Sequence, residues 1–285
     1  MRWSGRWVLA SLAAASVLAT ACAADGRLST GSESPTPGAS VAGTKVGGSV
    51  TVVAAGDIAK SAAGSRATAR LVQSLRPDAV LTLGDNAYDD GSAAEYARNY
   101  DPTWGRFQGI TRPVPGNHEY QTEGAQGYFG YFADQVHNRA YYAWTAGVWR
   151  LYALNCEIDC RAGSRQLAWL RRDVAAHAGM PMLAYLHRPR FTCSTEHPPE
   201  RQVGDLWSVL QRAGGRILLS GHNHAYERFA KLDAQGRRDP DGMRQFVVGT
   251  GGASRYPLQR SCRNRLAGND DTSGALSSIE RITGA

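Results

Sequence analysis

Cysteine is scarce in this chain, and no apolar run is long enough to build a membrane span. Five cysteines occur among 285 residues, and none of them form CxxC pairs, which argues against a thiolate metal cluster. The apolar stretch 7–19 falls short of the roughly 20 residues that cross a bilayer. No internal repeat and no second linker interrupts the chain after residue 48, so residues 49–285 are expected to form one α/β domain. No nucleic-acid motif accompanies the basic residues, and no nucleic-acid partner is expected.

What is present begins with an export pattern. Arg2 and Arg6 precede the apolar stretch, which ends in the small residues Ala19-Thr20-Ala21-Cys22. Residues 1–22 therefore read as a signal peptide of lipoprotein type, with Cys22 as the lipid-modified first residue; ordinary cleavage after Ala21 is the alternative. Residues 23–48 are rich in Ser, Thr, Gly and Pro and lack apolar periodicity, the composition of a disordered tether. The expectation is an exported, extracytoplasmic protein attached to the cell membrane through its N-terminal lipid alone. Of the formal net charge of +7, Arg2 and Arg6 account for two, leaving +5 on the exported chain. Such a surface either steers anionic substrates or serves solubility. After Cys22 the cysteines are Cys156, Cys160, Cys193 and Cys262, an even number in an exported chain. Disulfides are expected, with three pairings open.

Along the domain, β-branched or apolar runs alternate with helical spacing. Strands are predicted over 49–55, 79–83, 112–115, 182–186, 217–220 and 244–248, and helices over 65–75, 165–176 and 202–213. Residues 141–154 read as a hairpin around Ala146-Gly147. Each of five strand-like runs ends in a polar cluster: Gly56-Asp57, Gly84-Asp85, Gly116-Asn117-His118, His187 and Gly221-His222. In sheets covered by helices, ligands collect beyond the carboxyl ends of the strands. The number of aromatic residues in the later strands suggests a second sheet, giving four layers with helices outside two central sheets. By contrast, 269–285 is polar and weakly patterned.

Asp57, Asp85, Asn117, His187, His222 and His224 thus converge as a mixed oxygen and imidazole set. Such a set suits iron, manganese or zinc better than calcium. The ordered motifs Asp57, Gly84-Asp85, Gly116-Asn117-His118-Glu119, His187 and Gly221-His222-Asn223-His224 resemble those of the calcineurin-like metallophosphoesterases, from Val50 to Gly252. The resemblance implies the αββα sandwich of that family, two mixed sheets flanked by helices. Within the family most members carry a histidine two residues after the first aspartate, where this chain has Ala59. Purple acid phosphatases lack it too, and carry a tyrosine three residues after the second aspartate, as Tyr88 stands here. They usually have glycine rather than alanine at the first of these positions.

The resemblance implies two metal ions, Fe(III) with a divalent Fe, Zn or Mn. Asp57, Tyr88 and His224 would hold the first, and Asn117, His187 and His222 the second, with Asp85 bridging them. It further implies hydrolysis of small phosphomonoesters, with metal-bound hydroxide as nucleophile and His118 as general acid, oriented or tuned by Glu119. His197, in a Pro-rich loop, would face the substrate. Arg188 and Arg190 are candidates to clamp phosphate, against the plainer reading of solvated loop charges. The alternatives within the same resemblance are a phosphodiesterase acting on nucleotides or lipid head groups, and a tethered binding protein without turnover.

Overall fold

In the computed structural model, which describes residues 5–9 and 50–280, the apolar runs become strands, and the five that end in polar clusters bring those clusters to the same edge of the molecule. The tether expected over 23–48, and the export segment apart from 5–9, lie outside the described residues.

The described strands are β1 (Gly5–Leu9), β2 (Val50–Ala55), β3 (Ala79–Leu83), β4 (Thr111–Val114), β5 (Tyr142–Ala146), β6 (Trp149–Ala153), β7 (Met182–Tyr185), β8 (Gly215–Ser220), β9 (Tyr226–Leu232), β10 (Met243–Val248), β11 (Arg265–Asn269) and β12 (Gly274–Glu280). They form two mixed sheets, of order β1-β12-β2-β3-β4 and β11-β9-β10-β8-β7-β6-β5. In the first, β2, β3 and β4 run parallel; in the second, β6, β7, β8 and β10 do. The hairpin expected over 141–154 is the antiparallel pair β5 and β6, with Trp144 opposite Leu151.

The alternation of side chains along a strand divides the larger sheet into two faces. Leu151, Ala153, Leu183, Tyr185, Ile217 and Leu219 join the core shared with the five-stranded sheet. Their neighbours Tyr152, Leu154, Met182, Ala184, Leu186 and Leu218 pack on helices Arg165–Ala176 and Val203–Arg212 through Leu167, Leu170, Val174, Leu206, Trp207 and Leu210. Helix Ala62–Ser74, opened by the Ser61 side chain accepting from the Gly64 amide, covers β12 of the other sheet. The result is the four-layer α/β arrangement expected from the sequence.

One expectation changes. The polar stretch 269–285 contains β12, which pairs antiparallel with β2 and buries Ala275 and Leu276. Two apolar side chains and a ladder of backbone hydrogen bonds suffice to hold it, so its weak sequence pattern hid a strand. The Asp57 and Asp85 loops prolong the pairing of β2 with β3. Asp57 N donates to Gly84 O at 3.0 Å, Ile58 N to Asp85 O at 2.9 Å and Ala59 N to Asn86 O at 3.0 Å. Two aspartates far apart in sequence are thereby held side by side.

The packing predicts unequal costs for two leucines. Leu170→Ala, fully buried against the larger sheet, is expected to lower unfolding free energy by about 2–5 kcal/mol. Leu266→Ser, on an edge strand and 47% exposed, should change it by no more than about 0.5 kcal/mol. Urea unfolding followed by circular dichroism measures both.

Candidate metal centre

All seven residues singled out as ligands arrive at one place. Asp57 follows β2, Asp85 follows β3, Asn117 follows β4, His187 follows β7, and His222 and His224 follow β8. Tyr88 comes from the turn after β3, where Ala59 and Ala87 form a parallel bridge. Asp57, Asp85 and His222 adopt left-handed backbone angles, with φ of 59°, 48° and 71°. For residues other than glycine each such angle costs on the order of 1–3 kcal/mol and persists where surrounding bonds enforce it.

The cluster has two halves. In one, the Tyr88 hydroxyl lies 3.1 Å from Asp57 Oδ1, 3.3 Å from Asp85 Oδ2 and 3.2 Å from His224 Nε2. In the other, His187 Nε2 lies 3.2 Å from Asp85 Oδ2, 3.1 Å from Asn117 Oδ1 and 3.1 Å from His222 Nδ1. Asp85, His187 and His222 place one donor atom each within 4.8 Å of one another. Asp85 belongs to both halves.

This arrangement fits a pair of cations. One hydroxyl proton cannot serve three acceptors, nor can one imidazole nitrogen satisfy an amide oxygen, a carboxylate and a second imidazole. The outer nitrogens are already committed: His187 Nδ1 donates to Leu83 O at 2.9 Å and His224 Nδ1 to Ser254 O at 2.7 Å. Those bonds turn both Nε2 lone pairs inward, as metal-ligating histidines require. Glycine makes the approach possible. A β-carbon on Gly116 would stand 2.3 Å from Asp85 Oδ1, and one on Gly221 would stand 2.7 Å from Asp57 Oδ2.

The electrostatics of the metal-free cluster follow from burial and proximity. Burial disfavours a charged His187, but the adjacent Asp85 carboxylate outweighs it and raises the imidazole to about 10. Burial likewise opposes ionisation of Asp85, yet the charge on His187 holds its carboxyl below the usual range. Burial, then the charge on His187, keeps His222 neutral. Burial, then the charges of Asp57 and Asp85, hold the Tyr88 phenol well above its ordinary value.

His118 stands at the edge of the first half. Its Nε2 is 3.9 Å from Asp85 Oδ2, its ring centre is 4.4 Å from that of Tyr88, and its Nδ1 contacts the Asp89 carbonyl. Glu119, expected to orient it, does something else. The Glu119 carboxylate is buried and accepts from the amides of Asp85, Asn86, Ala87 and Gly116 and from the Tyr96 hydroxyl. The Asp89 carbonyl, not Glu119, orients the His118 ring. His197 does reach the centre, its ring stacked on His222 at 4.2 Å.

Several participants carried no sequence signal. Tyr256 stacks on His224 with ring centres 3.9 Å apart and planes at 8°. The disulfide Cys193–Cys262 joins the loops that bear His197 and Tyr256, and Cys156–Cys160 closes a short loop after β6. Arg190 turns away, donating to Ala234 O at 2.8 Å and lying over Phe191. Arg188 stays at the rim.

Comparison with known proteins agrees with this geometry. The profile of the calcineurin-like phosphoesterase family matches residues 50–226. The chain is similar to purple acid phosphatases 21 and 22 of Arabidopsis thaliana, 25% identical over 213 and 211 residues. Both alignments take in 65% of this chain, but 47% and 46% of those proteins, so the chain spans about half the length of the curated relatives it matches. Among solved structures, purple acid phosphatase PPD1 from yellow lupin (Lupinus luteus) seeds is similar in fold. Its TM-score is 0.67 at 19% identity, over 81% of this chain and 49% of that one.

Two outcomes follow for metal uptake. Because His187 is protonated near neutral pH and only the neutral ring binds a cation, loading the metal-free protein is expected to release protons. Affinity should therefore rise with pH until the imidazole deprotonates near about 10. Calorimetric titration in buffers of unlike ionisation enthalpy counts the protons, and a pH-independent affinity would contradict the assignment. Gly116→Ala should displace Asp85 and lower metal content with the fold retained, as read by elemental analysis beside circular dichroism.

Proposed function

The chain belongs to the calcineurin-like phosphoesterase family, and on that premise we propose that it is a phosphomonoesterase of the purple acid phosphatase type with a two-metal centre. The observation that carries this reading is the Tyr88 hydroxyl set among Asp57, Asp85 and His224, where Ala59 offers no donor. Asp57, Tyr88 and His224 would hold one ion and Asn117, His187 and His222 the other, with Asp85 available to both. Phenolate and carboxylate oxygens favour Fe(III) in the first half, and nitrogen with a neutral amide favours divalent Fe, Zn or Mn in the second. When bound, such ions polarise a phosphate ester and activate water for in-line attack.

The chain's own residues supply the rest. The Asp89 carbonyl accepts a hydrogen bond from His118 Nδ1, which leaves Nε2 to protonate the departing alkoxide. Asp85 Oδ2 lies 3.9 Å from that Nε2, which keeps the ring beside the centre. Burial, then the charge of His224, lowers the pKa of His197, so at neutral pH its ring is uncharged and faces the phosphate as a hydrogen-bonding group. The same reading includes export and an N-terminal lipid tether, so that the substrate is a small phosphate ester met outside the cytoplasm.

Protein loaded with ferric iron is expected to be coloured by a tyrosinate band, and Tyr88→Phe to abolish it. A colourless wild type with full metal content would remove the purple assignment. His118→Ala should reduce kcat by about 10²–10⁴ with metal content unchanged. Rates on p-nitrophenyl phosphate should exceed those on its bis ester; the reverse order would indicate a phosphodiesterase.

A further inference from the structure

Arg188 immediately follows His187, and its guanidinium is divided between two tasks. Its inner edge is fixed: Nε lies 2.9 and 3.0 Å from the two oxygens of Glu157, and Nη2 lies 2.9 Å from Glu157 Oε2. Glu157 is itself held. It sits in the loop closed by Cys156–Cys160, its amide donates to Asn155 Oδ1 at 2.9 Å, and its side chain is 6% exposed. A forked carboxylate of this kind fixes the guanidinium plane. The remaining group, Nη1, points at His222 Nε2 at 3.3 Å. Among the described residues, no other arginine has a hydrogen-bond contact to a histidine ring of the cluster.

That contact changes character when the centre is filled. His222 Nδ1 is the atom turned toward His187 Nε2 and hence toward the metal position. A neutral imidazole that gives its Nδ1 lone pair to a cation carries its proton on Nε2. Nη1–H and Nε2–H then face each other as two donors with no acceptor between them. The pair becomes a notch for an oxygen atom that bears negative charge.

We propose that Arg188 and His222 form a two-donor oxyanion notch beside the second metal position, which binds a non-bridging oxygen of the phosphoryl group, with Glu157 as its positioning residue. This rests on the phosphatase reading above and deepens it, because it assigns the recognition of the phosphate dianion to this chain's own Arg188. The Glu157 carboxylate cancels the charge of the guanidinium, so the notch recognises the oxygen by direction and hydrogen bonding rather than by net charge. A diester, with one charged oxygen fewer to present, gains less from it.

The test uses the metal-loaded protein and inorganic phosphate as probe, with dissociation constants from calorimetry and metal content from elemental analysis. Loss of one charge-assisted hydrogen bond should weaken phosphate binding of Arg188→Gln about tenfold to a hundredfold, with both metals retained. Arg188→Lys, which keeps the charge but not the fork, should lie between it and the wild type. Glu157→Gln should weaken phosphate binding several-fold through misplacement of the guanidinium. For hydrolysis, Arg188→Gln should lose more on the monoester than on the bis ester. Equal phosphate affinity in wild type, Arg188→Gln and Arg188→Lys would overturn the notch and leave the phosphatase reading standing. Loss of metal from Arg188→Gln together with unweakened phosphate binding by Arg188→Lys would also overturn it, by reducing Arg188 to a support for His222. Absence of phosphate binding and hydrolysis in the metal-loaded wild type would overturn both.

Discussion

The buried carboxylate of Glu119 gathers four backbone amides, from Asp85, Asn86, Ala87 and Gly116, around two oxygens. It thereby ties the turn after β3 to the turn after β4, and those turns carry Asp85, Tyr88 and Asn117. Burial, then the nearby charge of Asp85, raises its pKa to about 7, while the amides pull the other way. Placing cations beside Asp85 offsets its charge and favours the ionised form that the amides hold best. Loop geometry and metal occupancy are coupled through this one side chain.

Around that anchor the fold concentrates more acceptor atoms than the protons of Tyr88 and His187 can serve. The extended pairing of β2 with β3 sets Asp57 against Asp85, and the parallel strands of the larger sheet bring His187 and His222 to the same edge. Carbonyls of Leu83 and Ser254 fix the outer nitrogens of His187 and His224. The aromatic rings of His197 and Tyr256 then close over His222 and His224. Backbone carbonyls and stacked rings, rather than the ligands alone, thus fix how the donor atoms face one another.

Most of this was legible in the sequence because each ligand follows an apolar run that can only be a buried strand. The strands from Val50, Ala79 and Met182 announce themselves by composition, and Gly56-Asp57 and Gly84-Asp85 after the first two mark where the chain leaves the sheet. The strand β9 escaped notice because Glu227, Arg228 and Lys231 interrupt its apolar pattern. Yet Glu227 is buried, accepting from the Thr192 hydroxyl at 2.6 Å and the Cys193 amide at 2.9 Å. Disulfide pairing, the stacking of Tyr256 and the Glu157–Arg188 fork all depend on loops that meet only in three dimensions. The role of Glu119 was misread for a related reason. Adjacency to His118 in sequence suggested contact, while the backbone sends the two side chains to opposite sides of the turn, one into the core and one to the rim.

The left-handed backbone at Asp57, Asp85 and His222 bears on how such a chain can change over generations. Glycine at any of the three would relax the main chain and remove a ligand in the same step. Relief of this backbone strain is therefore open only at positions the centre can least spare. A lineage released from the need for metal would drift toward a sturdier, inert protein of the same shape.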